Sequence, residues 1–381
     1  MIKKVVYISF VNINERIFKD YFGEFLVQKN IEIEFWDLTK LLFNSINENQ
    51  HKFFCRVVKI NSHSEYNELL LSQNPKNTVF VLLIEVALKF YKILKPLKMY
   101  DLKTVFFLRG ILPSVKLSKK NKFIYFARYF CKSVGNFFLA KFDNYYLKYF
   151  SIQVGILFYA GRVSLSSSIR SHNKININLS DYDSFILSQS SYFVKHNYKY
   201  AVFLDINITN HNDDLILKND RINSKVYFDE LNNFFDMVEK KFSLRIIIAA
   251  HPTSNYDFNP FKGRDIVYMQ TSGIVKFAEF VITHHSTSIS FAILNKKPII
   301  FVYSNEIKVK LKFSIMLHID AQSKYLKSNV INMSDIDNLE IFPIDRNRYN
   351  NFKYDFITSI DSENEKSCDI FWIELNKYIS K

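Results

Sequence analysis

The sequence predicts an α/β protein built from two Rossmann-like domains that face each other across a cleft. Short apolar runs alternate with amphipathic helical patterns, which indicates βαβ units and a mainly parallel sheet. This alternation occurs twice in 381 residues, and hydrophobic residues make up 48% of the chain. A chain of that length and composition is long enough to form two domains, each with its own core.

The first half contains several apolar runs of strand length, at 4–10, 31–35, 78–84, 104–108 and 153–159. An amphipathic helix is predicted over 15–28. The polar stretches 164–171 and 173–178 are predicted to form a loop. We place the domain boundary near residue 195, so the N-terminal domain spans 1–194.

The second half repeats the pattern. Strands are predicted over 200–204, 245–250, 281–283 and 298–303, and helices over 226–242 and 273–279. The C-terminal domain therefore spans 195–345. The charged segment 346–381 is predicted to be helical, with Phe371 and Trp372 on one face, and to cross back to the N-terminal domain.

Scarce glycine excludes two common nucleotide-binding loops. The chain has only 7 Gly, and neither a GxGxxG nor a GxxxxGKS/T motif occurs in it. Any nucleotide must therefore be held by helix termini and side chains. The 3 cysteines lie far apart and form no CxxC pair, which favours reduced cytosolic thiols over a disulfide framework or a zinc site.

The net charge of +14 indicates an anionic partner. No zinc finger or RNP-type aromatic pattern accompanies the charge, so nucleic acid is not predicted as a partner. The longest apolar run, 78–88, is interrupted by Glu85 and is shorter than the about 20 residues that span a bilayer. The N-terminal run is too short for a signal peptide. We expect a cytoplasmic protein, peripheral to the inner membrane.

A basic and aromatic stretch between residues 116 and 150 is the candidate segment for binding the membrane surface. Its basic residues are Lys116, Lys119, Lys120, Lys122, Arg128, Lys132, Lys141 and Lys148, and many Phe and Tyr residues lie between them. On helical segments this pattern suits binding to an anionic leaflet. A Lys-rich solvated face over an aromatic core is the alternative, and the sequence leaves both open.

Two polar motifs directly follow predicted strands of the second half, and they consist of His251, Pro252, Ser286, Thr287 and Ser288. In open α/β sheets, ligands bind at the carboxyl ends of the strands. Ser or Thr at a helix start leaves backbone amides available for an anion. The pair therefore predicts a phosphate site. A structural histidine and an ordinary helix cap are the alternatives. Of the adjacent His284 and His285, at most one ring can face the site.

Four features of the chain resemble bacterial surface-polysaccharide biosynthesis proteins of the GT-B glycosyltransferase type. They are residues 35–38, residues 181–183, residues 203–205 with His211 and Asp213, and the motif pair described above. A His-Pro motif followed by a Ser/Thr motif is also similar to that of bacterial sialyltransferases, polysialyltransferases and Kdo transferases. The resemblance implies that His251 contacts the phosphate of a CMP-linked donor. It implies that Ser286, Thr287 and Ser288 contact the phosphate or the sugar carboxylate. Pro252 and His285 are further candidates for binding the nucleotide sugar.

The sequence departs from the sialyltransferase pattern in the general base. Those enzymes have an acidic D/E-D/E-G motif, and no such triplet occurs here. Asp205 is the nearest substitute, and His211 and Asp213 are rivals. The pair Asp213 and Asp214 in a polar loop is more typical of a turn than of a metal site. We therefore predict no metal and no cofactor other than the donor.

The resulting hypothesis is a glycosyltransferase that moves a CMP-activated nonulosonic acid or Kdo onto a glycan or lipid-linked acceptor at the bacterial surface. Asp37, Arg109 and Gly110, which follow strands of the first half, are candidates on the acceptor side; as plain turn residues they would have no such role. The alternatives are a transferase of CDP-linked polyol phosphates, a UDP-sugar 2-epimerase, or a non-catalytic scaffold for glycan assembly.

Overall fold

The computed structural model of the chain describes residues 1–10, 13, 15–43, 55–114, 149, 152–167, 169–190, 196–209, 222–312, 315–335, 337 and 339–380. The predicted membrane-binding stretch 116–150 lies outside the described residues except for Tyr149, and so do His211 and Asp213. Among the described residues, the first unit contains those of 1–109, 149–180 and 358–380, and the second contains those of 110–114 and 181–357.

The first unit is built on a parallel seven-stranded sheet in the order β3-β2-β1-β4-β5-β6-β7. Its strands are β1 (Lys4–Ser9), β2 (Glu32–Asp37), β3 (Arg56–Lys59), β4 (Thr78–Leu82), β5 (Lys103–Leu108), β6 (Val154–Tyr159) and β7 (Ser171–Asn176). Strands β1, β4 and β6 are almost wholly buried because helices cover both faces of such a sheet.

The second unit has a parallel six-stranded sheet in the order β10-β9-β8-β11-β12-β13. Its strands are β8 (Tyr200–Leu204), β9 (Arg245–Ala249), β10 (Ile266–Val267), β11 (Val281–Thr283), β12 (Ile299–Tyr303) and β13 (Asn329–Asn332). Two parallel sheets with intervening helices confirm the predicted α/β class.

The described α-helices connect these strands. In chain order they are α1 (Glu15–Asp20), α2 (Gly23–Gln28), α3 (Thr39–Phe43), α4 (His63–Leu71), α5 (Tyr91–Met99), α6 (Arg162–Leu165), α7 (Ser180–Ser190), α8 (Ser224–Phe242), α9 (Thr271–Phe277), α10 (Ile289–Leu294), α11 (Asn305–Lys310), α12 (Ile315–Leu326), α13 (Arg346–Phe352) and α14 (Ser367–Ser380). A 3-10 turn covers Leu88–Phe90, and a π-helical turn covers Lys353–Ile357. None of the described helices is long and apolar enough to cross a membrane.

Two local predictions for the first unit are wrong. The helix predicted over 15–28 is divided into α1 and α2, because Phe22 has a left-handed φ of 66° and the Phe18 ring packs directly against Gly23. The stretch 173–178, predicted as a loop, lies largely in β7. Among the described strands, β7 is outermost in its sheet and pairs only with β6. Edge strands tolerate the polar residues that suggested a loop.

The C-terminal helix α14 belongs to the first unit. Its residues Phe371, Leu375 and Ile379 are buried in the same core cluster as Phe107 of β5 and Phe158 of β6. The rings of Phe107 and Phe371 lie 5.6 Å apart between centroids. Helix α7 begins before residue 195, and its Ser188 accepts a hydrogen bond from Ser272 of α9 at 2.8 Å. Contacts therefore place α7 from Asp181 onward in the second unit.

Both sheets have a point at which the chain reverses its direction of travel across the strands. In the second unit the chain starts at β8, runs outward through β9 and β10, and then returns to β11 on the other side of β8. The loops that follow β8 and β11 therefore leave the sheet in opposite directions. A crevice at the carboxyl ends of these two strands is where open α/β sheets bind ligands.

We predict that Gly155→Ala destabilises the first unit, because the added Cβ would lie 1.7 Å from Tyr378 Oη and 2.9 Å from the Thr104 carbonyl oxygen. Overpacking of this kind costs about 1–3 kcal/mol. Urea unfolding of wild type, Gly155→Ala, Tyr378→Ala and the double variant would measure it. The double variant should be more stable than the sum of the two single losses implies, and strict additivity would contradict a close contact between β6 and α14.

Candidate functional site

The candidate site lies at the carboxyl ends of three neighbouring strands of the second unit, β9, β8 and β11. Asp205 directly follows β8, His251 lies two residues after β9, and His284 directly follows β11. Thr283 at the end of β11 donates a hydrogen bond from Oγ1 to the Leu204 carbonyl oxygen at 3.3 Å. Parallel pairing therefore brings together the residues that the sequence marked at separate positions.

The Asp205 carboxylate connects the end of β8 to the loop after β9. Its Oδ2 accepts hydrogen bonds from the His251 N–H (3.2 Å), the Ser254 hydroxyl (2.9 Å) and the Tyr256 hydroxyl (2.7 Å). Its Oδ1 accepts the Asn207 N–H at 2.9 Å. Asp205 is only 6% exposed, so these four donors replace the water that a charged group loses on burial.

The hydroxyl of Tyr256 stays protonated next to this carboxylate. Burial raises the pKa of Tyr256, and the negative charge of Asp205 raises it further. The ring of Tyr256 packs edge-on against Phe261 at 5.3 Å between centroids, which anchors the tyrosine in the core while its hydroxyl reaches Asp205. Tyr256 therefore acts as a permanent donor in the site.

The ring of His251 is held by the neighbouring Thr253. The Nδ1 atom of His251 accepts the Thr253 N–H at 3.2 Å and lies 2.8 Å from Thr253 Oγ1. Thr253 Oγ1 in turn accepts a hydrogen bond from Asn207 Nδ2 at 3.4 Å. His251 is therefore linked through its backbone to Asp205 and through its ring to the turn that follows β8.

His284 is a structural residue. It is fully buried, its Nδ1 lies 2.7 Å from the Val302 carbonyl oxygen, and its Nε2 lies 2.8 Å from the Tyr227 hydroxyl. The carbonyl only accepts hydrogen bonds, so the ring proton is on Nδ1 and Nε2 accepts from Tyr227. Burial lowers the pKa of His284 to about 4, although the Val302 carbonyl and the Asp205 charge raise it in part. The imidazole is neutral at neutral pH.

The neighbouring His285 contacts a different residue, His318. Its ring stacks on His318 of α12, with centroids 5.1 Å apart and planes at 28°. Partial burial of the ring lowers the pKa of His318. His284 and His285 thus contact different parts of the second unit, as the alternation of adjacent residues predicts.

The turn from Ser286 to Ser288 connects β11 to α10. The Ser286 hydroxyl accepts the Ser288 N–H at 3.1 Å, and Thr287 is exposed. Ser288 occupies the N-cap position of α10, but its side chain makes no capping hydrogen bond. The alternative of an ordinary helix cap therefore finds no capping hydrogen bond at Ser288, and the Ser286 hydroxyl holds the turn instead.

Several contributors to the site were missed by the sequence reasoning. They are Asn207, Tyr227, Thr253, Ser254, Tyr256 and His318, together with Ser290, whose buried hydroxyl bonds to Asp181 of α7. Thr253, Ser254 and Tyr256 directly follow the His-Pro pair, so that cluster of hydroxyl residues was a signal that the sequence offered. Tyr227 and His318 lie on helices, and no local pattern distinguishes them from core or surface residues.

The acceptor-side candidates of the first unit have local partners. Asp37 Oδ1 accepts the Thr39 N–H at 2.9 Å and the Thr39 hydroxyl at 2.5 Å, which starts α3. Arg109 donates from Nη2 to the Asp20 carbonyl oxygen at 2.7 Å, and its guanidinium lies 4.8 Å from the Phe107 ring centroid. Asp37 is the last residue of β2, and Arg109 directly follows β5. Because β1 and β4 lie between these two strands, the strands are about 14 Å apart across the sheet. Gly110 has a left-handed φ of 78°.

Within the ranges that the structure describes, no group of three or more His, Cys, Asp or Glu side chains is placed to hold a metal ion.

Comparison with solved structures gives full-length matches. CalG4, the calicheamicin glycosyltransferase, matches with a TM-score of 0.54 and 10% identity over 100% of this chain and 99% of its own. Two variants of the wall teichoic acid polymerase TagF match with TM-scores of 0.52 and 0.51 and identities of 13% and 14%, over 99% of this chain and 89% of theirs.

No protein-family model and no curated protein sequence matches the chain. The structural matches span both units and confirm the GT-B prediction at the level of the fold. At identities of 10–14% they show the fold alone.

The neutral His284 predicts a pH dependence of stability. Its pKa is about 4 in the folded chain and about 6.5 when unfolded, so the unfolded chain binds more protons between these values. The stabilisation is complete above pH 6.5 and is lost as the pH falls toward 4.

Urea unfolding of wild type and His284→Gln should therefore diverge. Between pH 6.5 and 5 the wild type should lose about 2 kcal/mol more than the variant. Because His318 is present in both proteins, its contribution cancels. If the free energies of unfolding of the two proteins changed with pH in the same way, His284 would not be buried as a neutral ring.

Proposed function

We propose that the chain is a glycosyltransferase that binds a nucleotide-activated sugar at the carboxyl edge of the second sheet. The observation that supports this most is the position of the His251 loop and the His285–Ser288 turn, which follow the two strands that flank β8 and Asp205 at the reversal point of the sheet. A fold shared over its whole length with CalG4, a glycosyltransferase, is consistent with it.

In this proposal the second unit stabilises the departing phosphate. Transfer of a sugar leaves negative charge on the phosphate of the nucleotide, and hydrogen-bond donors that are already in place stabilise that charge. The His251 ring, with Pro252 shaping its loop, supplies one donor. His285 and the hydroxyls of Ser286, Thr287 and Ser288 supply others. This set of residues requires no metal.

The acceptor hydroxyl must lose a proton to a general base. Asp205, His211 and Asp213 remain the candidates, and the four hydrogen bonds to Asp205 favour one of the other two. Asp37, Arg109 and Gly110 are proposed to lie on the acceptor side. A glycan or lipid-linked acceptor at an anionic inner-membrane surface fits the net charge of +14.

For the donor we propose a CMP-linked sugar, a nonulosonic acid or Kdo. The support is the resemblance of the His-Pro and Ser-Thr-Ser motifs to those of transferases that use such donors. A second candidate is transfer from a CDP-linked polyol phosphate. The likeness to TagF, a wall teichoic acid polymerase, supports that candidate, with a TM-score of 0.52 over 99% of this chain.

Thermal unfolding in the presence of CMP, CDP, UDP and GDP tests the site and ranks the donors. A ligand at one hundred times its dissociation constant stabilises by about 2.7 kcal/mol, which raises the melting temperature by a few degrees. We expect CMP to do so, and His251→Ala to abolish the effect. His172→Ala is the matched control, because His172 lies on β7 of the first unit, and it should respond as wild type does.

The same panel separates the alternatives. Stabilisation by CDP together with release of CMP from CDP-linked polyols would favour the second candidate, and stabilisation by UDP alone would indicate a UDP-sugar enzyme. A response that His251→Ala retains would place the nucleotide elsewhere. No response to any nucleotide would overturn the proposal and favour a scaffold.

A further inference from the structure

We infer that Asp205 is a positioning residue, which fixes the His251 ring so that its Nε2 donates a hydrogen bond to the phosphate of the nucleotide. The ligand in this inference rests on the proposed function. The orientation of the ring rests only on contacts within the second unit. Asp205 is one of three candidates for the general base in the sequence, and in the positioning role it takes no proton from the acceptor.

The first support is that both oxygens of the Asp205 carboxylate already accept hydrogen bonds from the protein. Oδ2 accepts three hydrogen bonds from the loop after β9, and Oδ1 accepts the Asn207 N–H. A carboxylate that accepts this many bonds has its lone pairs directed at protein donors, so it is poorly placed to take a proton from a substrate. It is well placed to hold the loop that bears His251.

The second support is a chain of hydrogen bonds from Asp205 to the imidazole. The bond to Asp205 Oδ1 holds Asn207 in a left-handed conformation, with φ at 50°, where Asn is tolerated. The Asn207 side-chain amide then reaches Thr253 Oγ1, and that hydroxyl lies 2.8 Å from His251 Nδ1. Three consecutive hydrogen bonds therefore connect the Asp205 carboxylate to the His251 ring.

The third support is the tautomer that these contacts select. The Thr253 N–H can only donate, and it points at His251 Nδ1 from 3.2 Å, so Nδ1 must accept. Because Asn207 donates to Thr253 Oγ1, the Thr253 hydroxyl proton is available to Nδ1 as well. A neutral imidazole whose Nδ1 accepts carries its proton on Nε2. A phosphate oxygen, which only accepts hydrogen bonds, is the complementary ligand for that N–H.

The tautomer can be measured directly by long-range 1H–15N correlation spectra of the histidine rings in the full-length, 15N-labelled chain. A His251→Gln sample identifies the His251 signals among those of 9 histidines. We expect a protonated Nε2 and an unprotonated, hydrogen-bonded Nδ1 without any ligand. Protonation on Nδ1, or rapid averaging of the two tautomers in the wild type, would overturn the inference.

Two variants test the link to Asp205. Thr253→Val removes the hydroxyl at an exposed position and keeps the backbone N–H, and Thr253→Ser is its control because it keeps the hydroxyl. Asp205→Asn replaces one acceptor oxygen with an NH2 donor, which faces either the Asn207 N–H or the three donors at the Oδ2 position. We expect Asp205→Asn, which releases the loop, to average the two tautomers. Thr253→Val keeps the backbone N–H that selects the tautomer but loses the hydroxyl that holds the ring. Both variants should weaken CMP binding, measured by calorimetry, about tenfold or more. Thr253→Ser should stay within about twofold of wild type.

The outcomes distinguish this inference from the proposed function. If the wild type shows the expected tautomer but binds none of CMP, CDP or UDP, the proposed function fails and the positioning role stands. If CMP binds and Asp205→Asn, folded by circular dichroism, keeps the wild-type tautomer and affinity, the positioning role fails. Should Asp205→Asn not fold, Thr253→Val still decides, because a His251 Nδ1 chemical shift unchanged from wild type in that variant would show that the Thr253 hydroxyl does not hold the ring.

Discussion

The buried carboxylate of Asp205 is the constraint on which the geometry at the carboxyl edge of the second sheet depends. It is almost excluded from solvent and accepts hydrogen bonds from two backbone amides and two hydroxyls. Losing the carboxylate would leave those donors unsatisfied in the interior, at a cost of about 1–3 kcal/mol for each buried group. The loop after β9 therefore has one favourable conformation, and this conformation fixes the position of His251.

A second buried polar contact holds the other side of this edge. The Tyr227 hydroxyl, the His284 ring and the Val302 carbonyl form a line of hydrogen bonds that connects α8, the end of β11 and β12. With His284 fixed in the interior, the adjacent His285 stacks on His318 of α12, and the Ser286–Ser288 turn leads into α10. The two buried groups, Asp205 and His284, thus fix the backbone that carries the neighbouring polar residues. Buried hydrogen bonds of this kind orient the residues of binding sites in general.

Much of the fold follows from local pattern. The Ile-rich run before His251 becomes β9, the run before Asp205 becomes β8, and both strands are buried as continuous apolar runs predict. The placement of Asp205 and His251 near strand ends follows from these strands, and that of His285 follows from β11. Strand β7 could not be recognised, because its position at the sheet edge permits a polar sequence.

The detailed contacts of the site depend on tertiary structure. Which donors meet Asp205 is decided by a turn after β9 that has no periodicity, and Tyr227 reaches His284 across 57 residues of sequence. In the same way, Phe371 of α14 joins the core of the first unit because it meets Phe107 and Phe158, which lie more than 200 residues earlier. A pattern within one segment contains no information about such partners.

Hydrogen–deuterium exchange of the full chain, with and without a saturating nucleotide, tests the central claim most directly. The claim is that the carboxyl edge of the second sheet is the nucleotide site. It predicts slower exchange at the backbone amides of 250–256 and 284–290 when CMP, or whichever nucleotide binds, is present. A nucleotide that binds and leaves both segments unchanged would contradict the account.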